Sequence, residues 1–257
     1  MEVALITVGD ELLAGDTVNT NANWLAGKLS DRGVAVSRVL SAPDDRAVIA
    51  DRVGEYAAAF DAVVVTGGIG STPDDVTMEA VADAFDREMT PTELTREHVS
   101  RRLAAIRERM PESAADVDVD VAAEAALPAG ARPLLNQTGL APGCVVEDGA
   151  SERGDRRVYA LPGIPGELKS MFASVADEFD GDRRSRFLYT VEPESDIVPA
   201  LEAVADRFDV AVGCYPDREA DHNRLKLTAT DDETLSAASA WLLDAVDASE
   251  TPVSRDW

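Results

Sequence analysis

Val63-Val64-Val65-Thr66-Gly67-Gly68-Ile69-Gly70-Ser71-Thr72-Pro73-Asp74-Asp75-Val76-Thr77 is the stretch on which the reading of this chain turns. Three β-branched residues in a row, Val63 to Val65, predict a strand buried on both faces, as in a parallel sheet. The strand runs into Gly67-Gly68-Ile69-Gly70, a loop that only glycine forms cheaply. Ser71 or Thr72 can cap a helix, and Pro73 suits a first helical turn. Strand, glycine loop and helix N-terminus together gather free backbone N–H groups and the positive end of a helix dipole. That is an anion site, and phosphate is the expected anion, held by Gly67, Gly68, Gly70, Ser71 and Thr72.

Two familiar phosphate loops are excluded. No Gly-x-x-x-x-Gly-Lys-Ser/Thr occurs, so this is not a P-loop. Pro73 stands where a dinucleotide fingerprint needs glycine or alanine, and the loop follows a later strand than the first. The acidic pair Asp74-Asp75 would repel a phosphate unless a divalent cation, Mg²⁺ or similar, lay between them. Asp75, three residues after Thr72, can equally close a capping box, and one carboxylate can do both.

Working outward, Val3–Val8 reads as a first strand, followed by a loop carrying Asp10 and Glu11. Asn19 starts a helix with Ala22, Leu25 and Leu29 at helical spacing. Val34–Leu40 reads as a second strand. Asp44 follows it, either as a site residue or as the N-cap of a helix carrying Val48, Ile49, Val53 and Tyr56. Strand, helix, strand, helix, strand predicts right-handed crossovers and a three-layer, mostly parallel α/β sheet. Ligands then gather at the C-terminal strand ends, where Asp10, Asp44 and Asp75 all fall. Helices are expected over Asp75–Phe85 and Glu93–Met110, the arginines of the second facing solvent or a subunit. An acidic, loose segment is expected over Pro111–Asp120.

Further on, short strands at Cys144–Glu147 and Arg157–Leu161 predict a hairpin. A second strand end, Leu161-Pro162-Gly163-Ile164-Pro165-Gly166-Glu167-Leu168, again meets a helix start at Pro165. Gly181-Asp182-Arg183-Arg184 reads as a linker between a domain over 1–180 and a small α+β domain over 186–250. His98 lies in the arginine-rich helix and His222 in a polar loop, each without metal-type partners.

The stretch Thr66–Thr77 resembles the signature of the molybdenum-cofactor-biosynthesis (molybdopterin-binding) domain, in a version closest to the CinA family. Gly9–Asn21 is similar to that family's Gly-x-Glu-Leu-Leu opening, and Asn136–Gly143 to its Asn-x-x-Gly-x-Ala-Pro-Gly segment, with Leu140 where threonine is usual. Leu161–Leu168 is similar to its Leu-Pro-Gly-x-Pro-x-Glu-Leu loop, which faces the glycine loop across the ligand pocket. The resemblance covers nearly the whole chain. It implies Asp44 and Asp75 as catalytic, metal-holding residues. It also implies ligand contacts at Asp10, Glu11, Asn19, Asn136, Pro162, Gly163 and Pro165. The ligand would be a nucleotide or pterin pyrophosphate, hydrolysed as in ADP-ribose or FAD, or used in adenylyl transfer to molybdopterin. A KH-like small domain and a homo-oligomer, a dimer, are implied as well. The appended amidase domain of longer CinA proteins is not expected here.

The formal net charge is −25, with only three lysines, Lys28, Lys169 and Lys226. Such acid-rich, lysine-poor composition resembles proteins of salt-loving archaea, where salt screens self-repulsion. It argues against a nucleic-acid groove, which needs a basic face. Gly213 is the only glycine after Gly181, so no Gly-x-x-Gly RNA clamp can form in the small domain. No apolar run spans a membrane and no signal peptide is apparent, so a cytoplasmic location is expected.

Overall fold

The computed structural model describes residues 1–109, 119–151 and 154–253. Met110, the Pro111–Asp120 expectation up to residue 118, and the hairpin tip at 152–153 lie outside the described residues. The chain divides into two compact units, Met1–Asp180 and Gly181–Trp257.

The first unit is built on a six-stranded sheet. Its strands are β1 (Glu2–Val8), β2 (Ala35–Ala42), β3 (Ala62–Thr66), β6 (Arg132–Leu134), β7 (Gly143–Ser151) and β8 (Gly154–Leu161), in the order β2-β1-β3-β8-β7-β6. The pairs β1–β2, β1–β3 and β3–β8 are parallel; β7 and β6 run antiparallel. A separate two-stranded ribbon joins β4 (Met89–Pro91) to β5 (Ala126–Pro128).

The layers follow from period-two alternation. Val3, Leu5 and Val64 point to one core, shared with Leu25 and Leu29 of α2 (Thr20–Ser30) and Leu168, Met171 and Phe172 of α7 (Pro165–Ala173). Ile6, Val63 and Val65 point to the other, shared with Ile49 and Val53 of α3 (Arg46–Ala59) and Met78 and Val81 of α4 (Thr77–Ala84). Leu25, Leu29, Ile49 and Val53 are wholly buried, each contributing roughly 1.5–3 kcal/mol. The remaining helices of this unit are α1 (Asp10–Ala14), α5 (Glu93–Arg109) and the single turn α6 (Val121–Glu124).

β2 lies to one side of β1 and β3 to the other, so the crossovers from these strands diverge above β1. Thr7 registers with Ser41 and Thr66, and Thr66 with Leu161. The loops after β1, β2, β3 and β8 therefore leave the sheet side by side, at the position where open parallel sheets bind ligands.

The second unit contains β9 (Arg184–Thr190), α8 (Glu194–Arg207), β10 (Ala211–Asp217), β11 (His222–Ala229), α9 (Asp232–Ala245) and β12 (Ala248–Ser249). Its sheet is antiparallel, in the order β10-β11-β9-β12. The small α+β unit expected here is present. Its connectivity, β-α-β-β-α-β with two interleaved βαβ halves, is ferredoxin-like, so the likeness to KH domains goes no further than the α+β composition. Gly213 lies inside β10 and packs under the Tyr215 ring. His222 opens β11 instead of sitting in a loop; it is nearly buried, with Nδ1 2.7 Å from Val253 O.

Candidate functional site

The glycine loop is shaped by backbone crowding. Gly67 has φ +100°, and a Cβ on it would lie 2.2 Å from Val8 O at the end of β1. Gly68 has φ +64°, and its Cβ would lie 2.5 Å from the Thr77 hydroxyl. That hydroxyl is buried and has no hydrogen-bond partner among the described residues. The β8 loop meets the glycine loop directly: Thr66 Oγ1 donates to Pro162 O (2.7 Å) and Gly67 N to Leu161 O (3.2 Å). Asn21 Nδ2 donates to Gly163 O (2.7 Å), so α2 also clamps this junction. Pro162 is buried here, while Pro165 is the first residue of α7.

The predicted helix start shifts. Ser71–Asp75 is a turn and α4 begins at Thr77, whose N–H donates to Gly68 O (2.8 Å). Asp75 Oδ2 accepts from Thr72 N (2.9 Å) and Thr72 Oγ1 (2.6 Å). Of the two capping-box bonds only the one from Thr72 N to Asp75 forms; Asp75 N donates to Thr72 O (2.9 Å) and not to the hydroxyl, so the pair closes a turn. Both bonds from Thr72 go to the same Asp75 oxygen, Oδ2. Pro73 ends up within this turn because the chain must double back from the sheet edge before the helix can start.

Asp44 is not a helix cap; its neighbour Asp45 is, accepting from Ala47 N and Val48 N. Asp44 Oδ2 accepts from Asp10 N (2.8 Å) instead, tying the β2 loop to the β1 loop. Burial raises the Asp44 carboxyl above the usual aspartate range. The Asp10 backbone bond opposes this, and the charges of Asp10, Glu11 and Asp74 add to it. Asp74, exposed, is held low chiefly by the Thr72 hydroxyl.

Asp44, Asp74, Asp75, Glu11, Gly67, Gly68 and Gly70 line one cleft of about 380 Å³, closed opposite by Pro162, Gly163 and Ile164. Glu167 also lines it, a residue the sequence reading placed in a helix turn without assigning it a role. Its signal was the glutamate that ends the second glycine–proline loop. Asn136 explains its position. Asn136 is 1% exposed; its Oδ1 accepts from Thr138 N and Gly139 N, and its Nδ2 donates to Glu167 Oε2 (2.6 Å). Asn136 thus orients Glu167 with its own polar atoms already engaged, and Asn19 is engaged likewise. Asn19 caps α2 through Ala22 N and donates to Thr7 Oγ1 (2.8 Å) and Ser41 Oγ (3.3 Å). Both asparagines, expected among the ligand contacts, hold neighbouring segments together through these bonds, and Asn19 also lines a smaller cavity with Glu11, Gly163 and Pro165.

Arg102 of the arginine-rich helix does not face outward alone: it donates to Gly139 O and Thr138 O, holding the same loop. His98 on that helix is buried, its basicity lowered by burial and by Arg101 and Arg102. Cys144 is buried and its thiol is pushed up to about 12 by that burial.

No group of three or more His, Cys, Asp or Glu converges on a metal position among the described residues. Mg²⁺ needs less, because one or two carboxylates plus substrate phosphates hold it. Asp44, raised by burial and by three neighbouring carboxylates, is a group whose charged form such a cation would stabilise. The donor set fits a divalent ion carried in with a phosphate ligand.

Comparison with known proteins gives two family matches. Residues 4–180 match the model described as "probable molybdopterin binding domain", and residues 183–252 the middle domain of FAD synthase. A protein of Archaeoglobus fulgidus is 34% identical over 218 residues, covering 84% of this chain and 86% of its own. One of Pyrococcus furiosus is 34% identical over 248 residues, covering 93% and 94%. Among solved structures, a CinA protein of unknown function from Thermoplasma acidophilum is 27% identical with a TM-score of 0.61, covering 70% of this chain and 99% of its own. No helix among the described residues is long and apolar enough to cross a membrane.

Proposed function

The chain is a CinA-like member of the molybdopterin-binding domain family, and from that premise we propose that its first unit hydrolyses a nucleotide pyrophosphate of the ADP-ribose or FAD type. The observation that carries this reading is one cleft at the ends of parallel strands. It joins a glycine loop suited to phosphate with Asp44, Asp75 and Glu167 on its rims.

The backbone of Gly67–Gly70, with Ser71 and Thr72, receives the pyrophosphate. Asp44 and Asp75 would hold a divalent ion, which when bound neutralises phosphate charge and polarises the phosphoryl oxygens. Glu167, oriented by Asn136, takes a proton from a water. That water forms the new P–O bond as the bridging P–O bond breaks, its electron pair leaving with the departing phosphate. Pro162 and Ile164 line the cleft opposite the glycine loop.

A second reading, adenylyl transfer to molybdopterin, is favoured by the family match over residues 4–180. Incubation with ADP-ribose, with FAD, and with ATP plus molybdopterin, each with Mg²⁺ and molar KCl, separates the two. Metal-dependent release of AMP from ADP-ribose or FAD is the expected result. Adenylylated pterin would select the second reading, and tight binding without turnover would make this a binding module.

A further inference from the structure

Glu167 belongs to α7, but its carboxylate is held by another part of the chain, the loop between β6 and β7. Asn136 Nδ2 donates to Glu167 Oε2 (2.6 Å), and a Cβ on Gly139 would lie 2.1 Å from that same oxygen. Gly139 is not among the glycines with positive φ. Its missing side chain, not its backbone, is what admits the carboxylate. The Asn136 amide is fixed in turn. Its Oδ1 accepts from Thr138 N (3.1 Å) and Gly139 N (2.7 Å), and its Nδ2 also donates to Ala141 O (3.2 Å), so a flipped amide would lose these bonds.

These bonds tie Asn136 to its own loop. What ties the loop to the rest of the unit is α5. Arg102 Nε donates to Gly139 O (2.8 Å), and its Nη2 donates to Thr138 O. The Thr138 carbonyl and the Gly139 N–H belong to one planar peptide group. Arg102 therefore grips from one end the peptide that Asn136 grips from the other. A charged donor on the carbonyl also polarises that peptide and strengthens the bond its N–H makes to Asn136. His98, one turn earlier on α5 and buried, sits beside the Asn136 backbone. We propose that Arg102 is a positioning residue for Glu167, acting through the Thr138–Gly139 peptide and the Asn136 amide. The proposal rests on the hydrolytic reading, in which Glu167 takes the proton of the attacking water.

The test is a double-mutant cycle on the full chain, with Arg102→Met, Glu167→Gln and the two combined. Turnover of ADP-ribose and of FAD is measured in Mg²⁺ and molar KCl, well below each protein's melting temperature. Arg102→Met should lower kcat ten- to a hundredfold, the scale of a misplaced catalytic group. KM, and calorimetric binding of inorganic pyrophosphate with Mg²⁺, should stay within twofold of the parent. Arg102→Lys keeps the charge but not the planar fork that reaches both carbonyls, and should recover only part of the loss. In the Glu167→Gln background Arg102→Met should change turnover less than twofold, because residues that act as a unit do not add. Where Arg102→Met does not fold, Arg102→Lys completes the same cycle. Losses that multiply in the double variant would show that Arg102 acts apart from Glu167 and overturn the proposal. So would parent-like turnover in Arg102→Met beside a large loss in Glu167→Gln, an outcome that leaves the hydrolytic reading standing. Parent-like turnover in Glu167→Gln would remove Glu167 as the base, and a parent that turns over neither substrate would overturn the hydrolytic reading; the positioning role falls in both cases.

Discussion

At the strand ends of the first unit, Asp44 is half-buried among Asp10, Glu11 and Asp74, and its carboxyl is raised by burial first and then by their charge. In the second unit, Asp217 accepts from Glu219 N and Ala220 N, and Asp231 caps α9 through Thr234 N; both carboxyls are lowered, chiefly by those backbone bonds. The cavities differ in the same sense, about 380 Å³ beside Asp44 and about 100 Å³ beside Asp217. Asp217 and Asp231 are matched to backbone donors and serve the fold. Asp44, on the wall of the cleft, is surrounded by other carboxylates, which a bound cation would offset. The composition, acidic throughout, does not distinguish them.

The strongest challenge to that contrast is Asp44→Asn, or Asp75→Asn, assayed for turnover against metal concentration. Loss of a charge that acts in the transition state, about 3–4 kcal/mol, lowers turnover roughly a hundred- to a thousandfold. Melting should be unchanged, and for Asp44→Asn relief of repulsion can raise it. A folded Asp75→Asn protein with near-normal turnover removes Asp75 from the site.

Next in size is Gly67→Ala, which tests whether the loop shape is backbone-determined. With φ +100° and Val8 O only 2.2 Å from the new Cβ, destabilisation of about 3 kcal/mol or more is expected in chemical denaturation. A loss under about 1 kcal/mol would show that β1 yields there.

Asp231→Ala sharpens the other side. Loss of the α9 cap should lower the melting temperature by a few degrees and leave turnover unaltered. Any change in turnover would link this cap to the site.

The smallest effect is in pH dependence, where the two groups have opposite signs. Asp217 and Asp231, held low, stabilise the fold above the ordinary carboxylate range, and that contribution is lost as pH falls through their depressed values. Asp44 and Glu124, held high, favour the fold in their protonated form. Their contribution fades as pH rises from the ordinary carboxylate range through their raised values. Cation affinity should accordingly fall on acidification at a higher pH than an ordinary aspartate would give. Affinity measured by calorimetry across the acid range checks this, and a midpoint at or below the usual aspartate value would contradict it.

Much of this architecture was legible in the chain itself. Alternating core residues in β1 and β3, the helical spacing of Leu25 and Leu29, and glycines that no other residue replaces are local properties. Local periodicity therefore suffices to predict a parallel sheet with acids at its C-terminal edge. The three-dimensional closure decided the rest. It set β8 beside β3, so that Pro162 and Gly163 face Gly67, and moved the helix start from Pro73 to Thr77. It gave Asp44 the Asp10 N–H as its partner and turned Asn19, Asn136 and Arg102 toward internal bonds. It also brought Glu124, on a single turn without a sequence signature, against the Ser71 hydroxyl. A periodicity is set by residues three or four apart, whereas a side chain's hydrogen-bond partner depends on which distant segments the packed core brings alongside it.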